Sequence, residues 1–374
     1  MNSRQKIESA FSHHGTNEIP AVIPYDCIFV RDHYKEFPLP WWLMESSDVN
    51  DLFAYRRQPI EAIGQDWFQL WCISPWEQRN TYNIETQADC ICKIEKTTGK
   101  KKLVSPPVIG GATLSPKCSQ IPLNEKQIEE QIPLDDSYDA QTSLNDGSAD
   151  LAKKLIEQYK SIYFPIYYIN SPLWSCFQMW GFENTMVMTA LQPSLLKFAC
   201  RQMLAITKRT IKEAALLGAA GIWIEEAFTD MISPADYVSL SLPFVRELTE
   251  EIRKLGLKSI YYYCGSLDGR LEHILSAGAD ALAFEESKKN FEINIESIVS
   301  QVNGRCTVFG NLDAVRILQN GSRAQLESEI KRQIDAGRRN NGKFVMSIGS
   351  PVTPSTPINR VRQYIDFVHE YGRK

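Results

Sequence analysis

From about residue 151 the apolar positions follow two alternating rhythms. Stretches with apolar residues three and four apart, as helices need, alternate with short runs that are apolar nearly throughout. The stretch 193–217 reads as a long helix stopped by Gly218. The stretch 234–255 reads as another, with Ser233 as its cap, Pro234 in its first turn and Gly256 behind it. Further helices are expected over 152–159, 267–276, 293–302 and 326–336, and from about 358. The apolar runs 163–169, 221–224, 259–263, 279–284, 306–309 and 344–348 read as strands. Strands apolar on both faces belong in a parallel sheet covered by helices. Their exits fall near 226, 264, 286, 311 and 349, in steps of roughly 20–40 residues, the length of one βα unit. Five such units, a strand near 165 and further strands expected earlier approach a (β/α)8 TIM barrel. No Gly-x-Gly-x-x-Gly follows a strand, which disfavours a dinucleotide-binding sheet.

The first 150 residues are less regular. They contain a short helix over 3–13, aromatic segments at 39–42 and 66–71, and an alternating hairpin over 80–106. Cys90 and Cys92 share one face of that hairpin. An irregular stretch over 107–150 includes a short helix near 125–131. A single domain over 1–374 is expected, with 1–150 an N-terminal elaboration plus the first barrel elements and 151–374 the regular βα units.

Composition narrows the partners. The 374 residues are 43% hydrophobic and 23% charged, ordinary for a globular chain. Lys+Arg 41 against Asp+Glu 45 gives −4, and the longest basic run is Lys100, Lys101 and Lys102, so no nucleic-acid partner is expected. No apolar run reaches the length of a membrane span, so no membrane partner is expected either. Met1 to Lys6 form no apolar signal core, and nine cysteines are scattered through a chain too large to need disulfides. A reduced, cytoplasmic protein is expected.

In a barrel, chemistry sits on the loops after the strand C-termini. Here those positions read Glu225-Glu226, Tyr262-Tyr263-Cys264-Gly265, Glu285-Glu286, Gly310-Asn311-Leu312-Asp313 and Gly349-Ser350. Glutamates can act as general acid or base when burial raises their pKa, and a thiol can ligate a soft metal. Trp41, Trp42, Trp67, Trp71, Trp174, Tyr167 and Tyr168 suit a planar or methyl-bearing ligand. None of His13, His14, His33, His273 and His369 falls at a strand exit, so the glutamates are the available bases.

These motifs carry a resemblance. Gly310-Asn311-Leu312-Asp313, then Gly349-Ser350-Pro351 with Ser355-Thr356-Pro357, resembles the uroporphyrinogen decarboxylase superfamily. So do Glu226 with Ile232-Ser233-Pro234 and Leu242-Pro243, the segment Gly181-Phe182-Glu183-Asn184, and the opening Ser3 to Ile7 with Ile19-Pro20. The resemblance implies a TIM barrel and one of two chemistries: cofactor-free decarboxylation of uroporphyrinogen, a lyase reaction, or zinc-dependent, corrinoid (cobalamin)-linked methyl transfer.

The methyltransferase branch carries His-x-Cys at one strand end, an acid one unit later, and Cys in a Gly-Cys step. The matching positions here are Tyr262, Cys264, Glu286 or Glu285, and Ser350. Cys264 and the acid remain, while Tyr and Ser replace the other two donors, so any Zn²⁺ site on Cys264 and Glu286 is altered. The decarboxylase branch uses an N-terminal Arg-x-x-x-Arg stretch. The region Asp26 to Arg31 offers one arginine. The resemblance therefore implies a methyltransferase acting on a small methyl substrate, with a corrinoid protein as possible partner. Glu226, Tyr262, Glu286 and Asn311 are the implied catalytic residues, with Trp174, Tyr168, Asp313 and Ser350 in the substrate wall. A decarboxylase is the second reading, and a non-catalytic barrel that binds a ligand or corrinoid protein is the third.

Overall fold

Apolar runs buried on both faces become the staves of a barrel. The computed structural model describes residues 1–87, 90–110, 119–288 and 290–373. Its strands in chain order are β1 (Trp67–Gln69), β2 (Tyr82–Gln87), β3 (Cys90–Glu95), β4 (Lys101–Val104), β5 (Phe164–Asn170), β6 (Gly221–Glu226), β7 (Lys258–Tyr263), β8 (Ala281–Phe284), β9 (Thr307–Phe309) and β10 (Phe344–Val345). Seven of them form one parallel sheet in the order β1-β5-β6-β7-β8-β9-β10, and β2-β3-β4 form a separate antiparallel sheet.

An extended segment at 20–22 joins the two edges of the parallel sheet. Ala21 bridges Met346 in parallel, Met346 N–H donates to the Pro20 carbonyl at 2.8 Å, and Val22 N–H donates to the Met346 carbonyl at 2.9 Å. On its other side the Asp66 N–H, just ahead of β1, donates to the Ala21 carbonyl at 2.9 Å. With this eighth stave the sheet closes as a TIM barrel. Met346 is thereby engaged outside β10, which explains why that strand is shorter than the apolar run 344–348.

Side chains alternate between the lumen and the helix layer, because successive residues of a strand face opposite ways. Trp67, Ile166, Trp223, Ile260, Ala283 and Phe309 pack against one another in the lumen. The helix Ser3–Phe11 plugs the N-terminal end, where the Phe11 ring lies 6.0 Å from Phe164 and 6.4 Å from Phe309. Beside it, buried Asp66 accepts from Lys6 at 3.1 Å and the Ala21 N–H at 2.7 Å, and pairs with His369 at 2.7 Å. His369 is thus a structural histidine. His33 is another, buried between the Phe29 and Thr356 carbonyls.

The long helix Pro193–Leu217 and the final helix Ile358–Tyr371 form as their periodicity requires. The helix expected over 234–255 is two, Pro234–Leu240 and Leu242–Lys254. Pro243 lacks the N–H that a continuous helix would use there. The helix expected over 267–276 shrinks to Leu271–Leu275 because Gly269 takes a left-handed turn at φ +66°. No helix among the described residues is long and apolar enough to cross a membrane.

Candidate active site

The C-terminal mouth of the barrel holds a cavity of about 710 Å³. Its wall draws on nearly every stave: Tyr25 beyond the closing segment, Gln69 on β1, Tyr168 and Asn170 on β5, Glu225 on β6, Tyr262 and Cys264 at β7, Glu285 after β8, and Ser350 after β10. Trp174, on the helix Pro172–Trp180 that follows β5, covers one side. A larger groove of about 880 Å³ lies elsewhere, against the helices Leu271–Leu275 and Ile295–Val302, and contains none of these groups.

Glu225 is the focus of the cavity. Tyr25 OH lies 2.8 Å from both of its carboxylate oxygens, and Trp223 Nε1–H donates to Oε2 at 3.0 Å. Burial pushes the Glu225 carboxyl up to about 7, the hydrogen bonds from Trp223 and Tyr25 opposing the rise. A carboxyl of this kind exchanges protons near neutral pH. Tyr25 itself is left-handed at φ +63° without being glycine, a strained conformation that aims its ring into the mouth. Its backbone N–H donates to Tyr168 OH at 3.2 Å.

Aromatic rings surround this carboxyl. The Tyr25 ring lies 5.9 Å from Tyr168 and 6.1 Å from Tyr262, and Trp223 stacks beneath Tyr262 at 5.1 Å. Tyr262 OH donates to the Gly349 carbonyl at 3.0 Å, tying β7 to the loop after β10. Burial holds the Tyr25, Tyr168 and Tyr262 phenols well above their ordinary range, so they stay protonated.

Across the cavity, burial followed by the neighbouring Glu285 and Glu225 carboxylates holds the Cys264 thiol far above its ordinary value. Burial also raises Glu285. Ser350 Oγ donates to Glu286 at 2.7 Å, and Lys288 Nζ closes the group by donating to Glu286 and, at 3.0 Å, to Ser350.

Of the residues singled out in the sequence, Tyr168, Trp174, Tyr262, Cys264 and Ser350 come together on the cavity wall. Three do not. Glu226 faces away from the lumen, fully buried between strands and helices, where it accepts from Ser171 at 2.9 Å, from Ser241 and from Tyr261 at 3.3 Å. Its parity along β6 is opposite to that of Trp223 and Glu225, and this corrects its assignment to the site. Asn311 is a positioning residue: its Nδ2 donates to the Glu285 carbonyl at 3.2 Å and the Ile293 carbonyl at 3.1 Å. Asp313 caps the helical turn Ala314–Gln319, accepting from the Val315 and Arg316 N–H groups at 2.9 Å and 2.6 Å. Tyr25 and Gln69 were not singled out, and Glu225 was noted at the strand exit without a role. Strand parity alone would have separated Glu225 from Glu226.

The metal expectation fares differently. Among the described residues no three His, Cys, Asp or Glu side chains converge as a metal site. Glu286 is turned to Ser350 and Lys288, and although Cys27 lines the same cavity, among the described residues neither an imidazole nor a second thiol gathers with Cys264 and the carboxylates into a ligand set. This donor set does not fit the thiolate- and imidazole-rich centre that Zn²⁺ prefers, and no step is derived through a metal.

Residues 114–371 match the family model described as uroporphyrinogen decarboxylase (URO-D). The chain belongs to the URO-D family. A uroporphyrinogen decarboxylase of Thermodesulfovibrio yellowstonii is 23% identical over 190 residues, 51% of this chain and 53% of that protein. The methylcobamide:CoM methyltransferase MtbA of Methanosarcina mazei is 22% identical over 204 residues, 54% of each chain. This URO-D family chain thus spans about half the length of the curated relatives it matches. A solved methyltransferase structure from Methanosarcina mazei superposes with a TM-score of 0.66 over 99% of both chains at 13% identity, which shows a shared fold. Members of the URO-D family are enzymes, and methyltransferases and decarboxylases both occur among these relatives.

Proposed function

We propose that this URO-D family enzyme transfers a methyl group to or from a small substrate in the barrel mouth, with Glu225 exchanging the substrate's proton. The observation that carries the reading is Glu225 itself: a lumen-facing carboxyl raised to about 7, clamped by Tyr25 and Trp223 inside the cavity. In the methylating direction the substrate's heteroatom–H bond breaks and the proton passes to the Glu225 carboxylate. The freed heteroatom pair bonds the methyl carbon, whose bond to its carrier breaks with the electron pair staying on the carrier. Demethylation is the reverse.

The carrier we assign is a corrinoid held by a separate protein, an assignment supported by the printed activity of the Methanosarcina mazei relative. Tyr25 and Trp223 orient the Glu225 carboxyl, the rings of Tyr168, Tyr262 and Trp174 exclude water, and Cys264 and Glu285 shape the far wall. Among the described residues no Lys or Arg lines the cavity, which speaks against a polycarboxylate porphyrinogen, since carboxylates are ordinarily bound by arginine forks.

The test mixes purified protein with methylcobalamin and a panel of amines, thiols and alcohols, and follows the corrinoid spectrum. Demethylation of the corrinoid by one member of the panel, lost in Glu225→Gln, is expected. Conversion of uroporphyrinogen to coproporphyrinogen, or no corrinoid change with any acceptor, would overturn the reading.

A further inference from the structure

We infer that the barrel mouth is built for an organic ammonium ion, so that the heteroatom exchanging methyl is a nitrogen. This rests on the proposed methyl transfer and deepens it. Three observations of different kinds point to a cation.

The first is the sign of the wall. Glu225 and Glu285 line the cavity, and no described lysine or arginine does. Two described cations that act electrostatically on lining residues are already engaged. Lys288 is held by Glu286, with Glu285 at 3.8 Å, and Arg56 lies on the Trp71 ring at 4.1 Å with Asp26 and Cys27 close enough to act on its charge. A substrate anion would therefore meet carboxylates without a free cation to balance it.

The second is the arrangement of rings. Tyr25, Tyr168 and Tyr262 stand around the Glu225 carboxyl with their centroids about 6 Å apart pairwise for Tyr25, and Trp174 stands on the open side. Tyr25 meets Tyr262 at 82°, and both rings line the cavity. Aromatic faces attract methylated ammonium ions through the ring quadrupole, whereas a neutral ligand gains only contact area.

The third is an acceptor without a donor. Gln69 lines the same cavity at 9% exposure, and its amide oxygen Oε1 has no hydrogen-bond partner. Buried carbonyl oxygens are ordinarily matched. A ligand N–H beside Gln69 would be the kind of partner this oxygen lacks. The ammonium proton is also the one that the Glu225 carboxylate takes before nitrogen can attack a methyl group.

The test is a binding measurement without any methyl carrier, so its outcome is separate from whether methyl transfer occurs. Calorimetry compares trimethylammonium with tert-butanol, a neutral molecule of similar size, at about pH 8, where Glu225 with a value of about 7 is ionised. We expect trimethylammonium to bind at least about tenfold more tightly, the size of a desolvated cation–π contact. That preference should shrink toward parity in Glu225→Gln. Trp174→Leu, at a partly exposed helix position, should reduce the same ratio while leaving the fold intact by circular dichroism. Equal affinity for the two probes in the parent protein, or tighter binding of acetate than of trimethylammonium, would overturn the inference. Ammonium binding without methyl exchange would instead sink the proposed reaction alone, and methyl exchange confined to alcohols would sink the ammonium inference alone.

Discussion

Glu225 and Glu226 are neighbours on one strand, and burial raises both to about 7, yet they belong to different regions of the molecule. Glu225 faces the lumen mouth among tyrosine rings, beside a cavity that admits a ligand. Glu226 faces the helix layer, fully buried and surrounded by the hydroxyls of Ser171, Ser241 and Tyr261. A shifted pKa therefore does not by itself mark a functional acid. In the proposed reaction the same desolvation would serve proton exchange on one side of the sheet, while on the other it accompanies hydrogen bonds that tie a strand to its helices.

The comparison can be broken most sharply by removing each carboxyl in turn. Glu225→Gln is expected to lower methyl-exchange kcat/KM by roughly 10²–10⁴-fold, the usual contribution of a positioned acid or base, with the fold retained by circular dichroism. Glu226→Gln is expected to leave the rate within a few-fold of the parent. Comparable losses in the two variants would erase the distinction between the two faces.

The pH dependence sharpens it further. In the methylating direction Glu225 acts as its carboxylate, so kcat/KM should rise as pH increases through about 7 and level off above it. Tyr25→Phe removes a hydrogen bond that lowers the Glu225 value, so the rising limb should move to higher pH, accompanied by a rate loss of about tenfold, one lost charge-assisted hydrogen bond. An unmoved limb would show that the titrating group lies elsewhere.

For Glu226 the readout is stability. Its folded value of about 7 stands above the ordinary 4.5, so the folded chain binds the proton more tightly than the unfolded one. The contribution of this group to stability is present below about pH 4.5 and falls as pH rises toward 7. The melting temperature of Glu226→Gln relative to the parent should therefore climb between these two pH values, and a constant difference would contradict the assignment. The smallest effect expected is at Asp313→Ala, where loss of a helix cap should cost about 0.5–2 kcal/mol in denaturant unfolding with little change in rate.

Much of this was legible in the sequence for physical reasons. The apolar runs at β5 to β10 announced a parallel sheet because both of their faces are buried, and Tyr168, Trp174, Tyr262, Cys264 and Ser350 were placed at the mouth because they lie near or beyond the C-terminal ends of strands. The short staves were harder. β1 has three residues, and the closing segment holds its place by a single bridge at Ala21, so neither shows a period of two. Tyr25 went unseen for that reason, since its role depends on the segment that delivers it and on a left-handed backbone unusual for tyrosine. Glu225 was noted at the strand exit but passed over for Glu226, although the signal was present: Trp223 and Glu225 are two apart, and only one of two adjacent glutamates can face the lumen. The pairing of Glu286 with Ser350 and Lys288 lay across the barrel, where spacing along the chain carries no information.

The most direct test of the account is the methyl-exchange rate of the parent, Glu225→Gln and Glu226→Gln measured across the neutral pH range on one substrate. The account predicts a rate that rises through about pH 7 in the parent and in Glu226→Gln, and a low, pH-independent rate in Glu225→Gln. A rising profile that persists in Glu225→Gln and disappears in Glu226→Gln would contradict it.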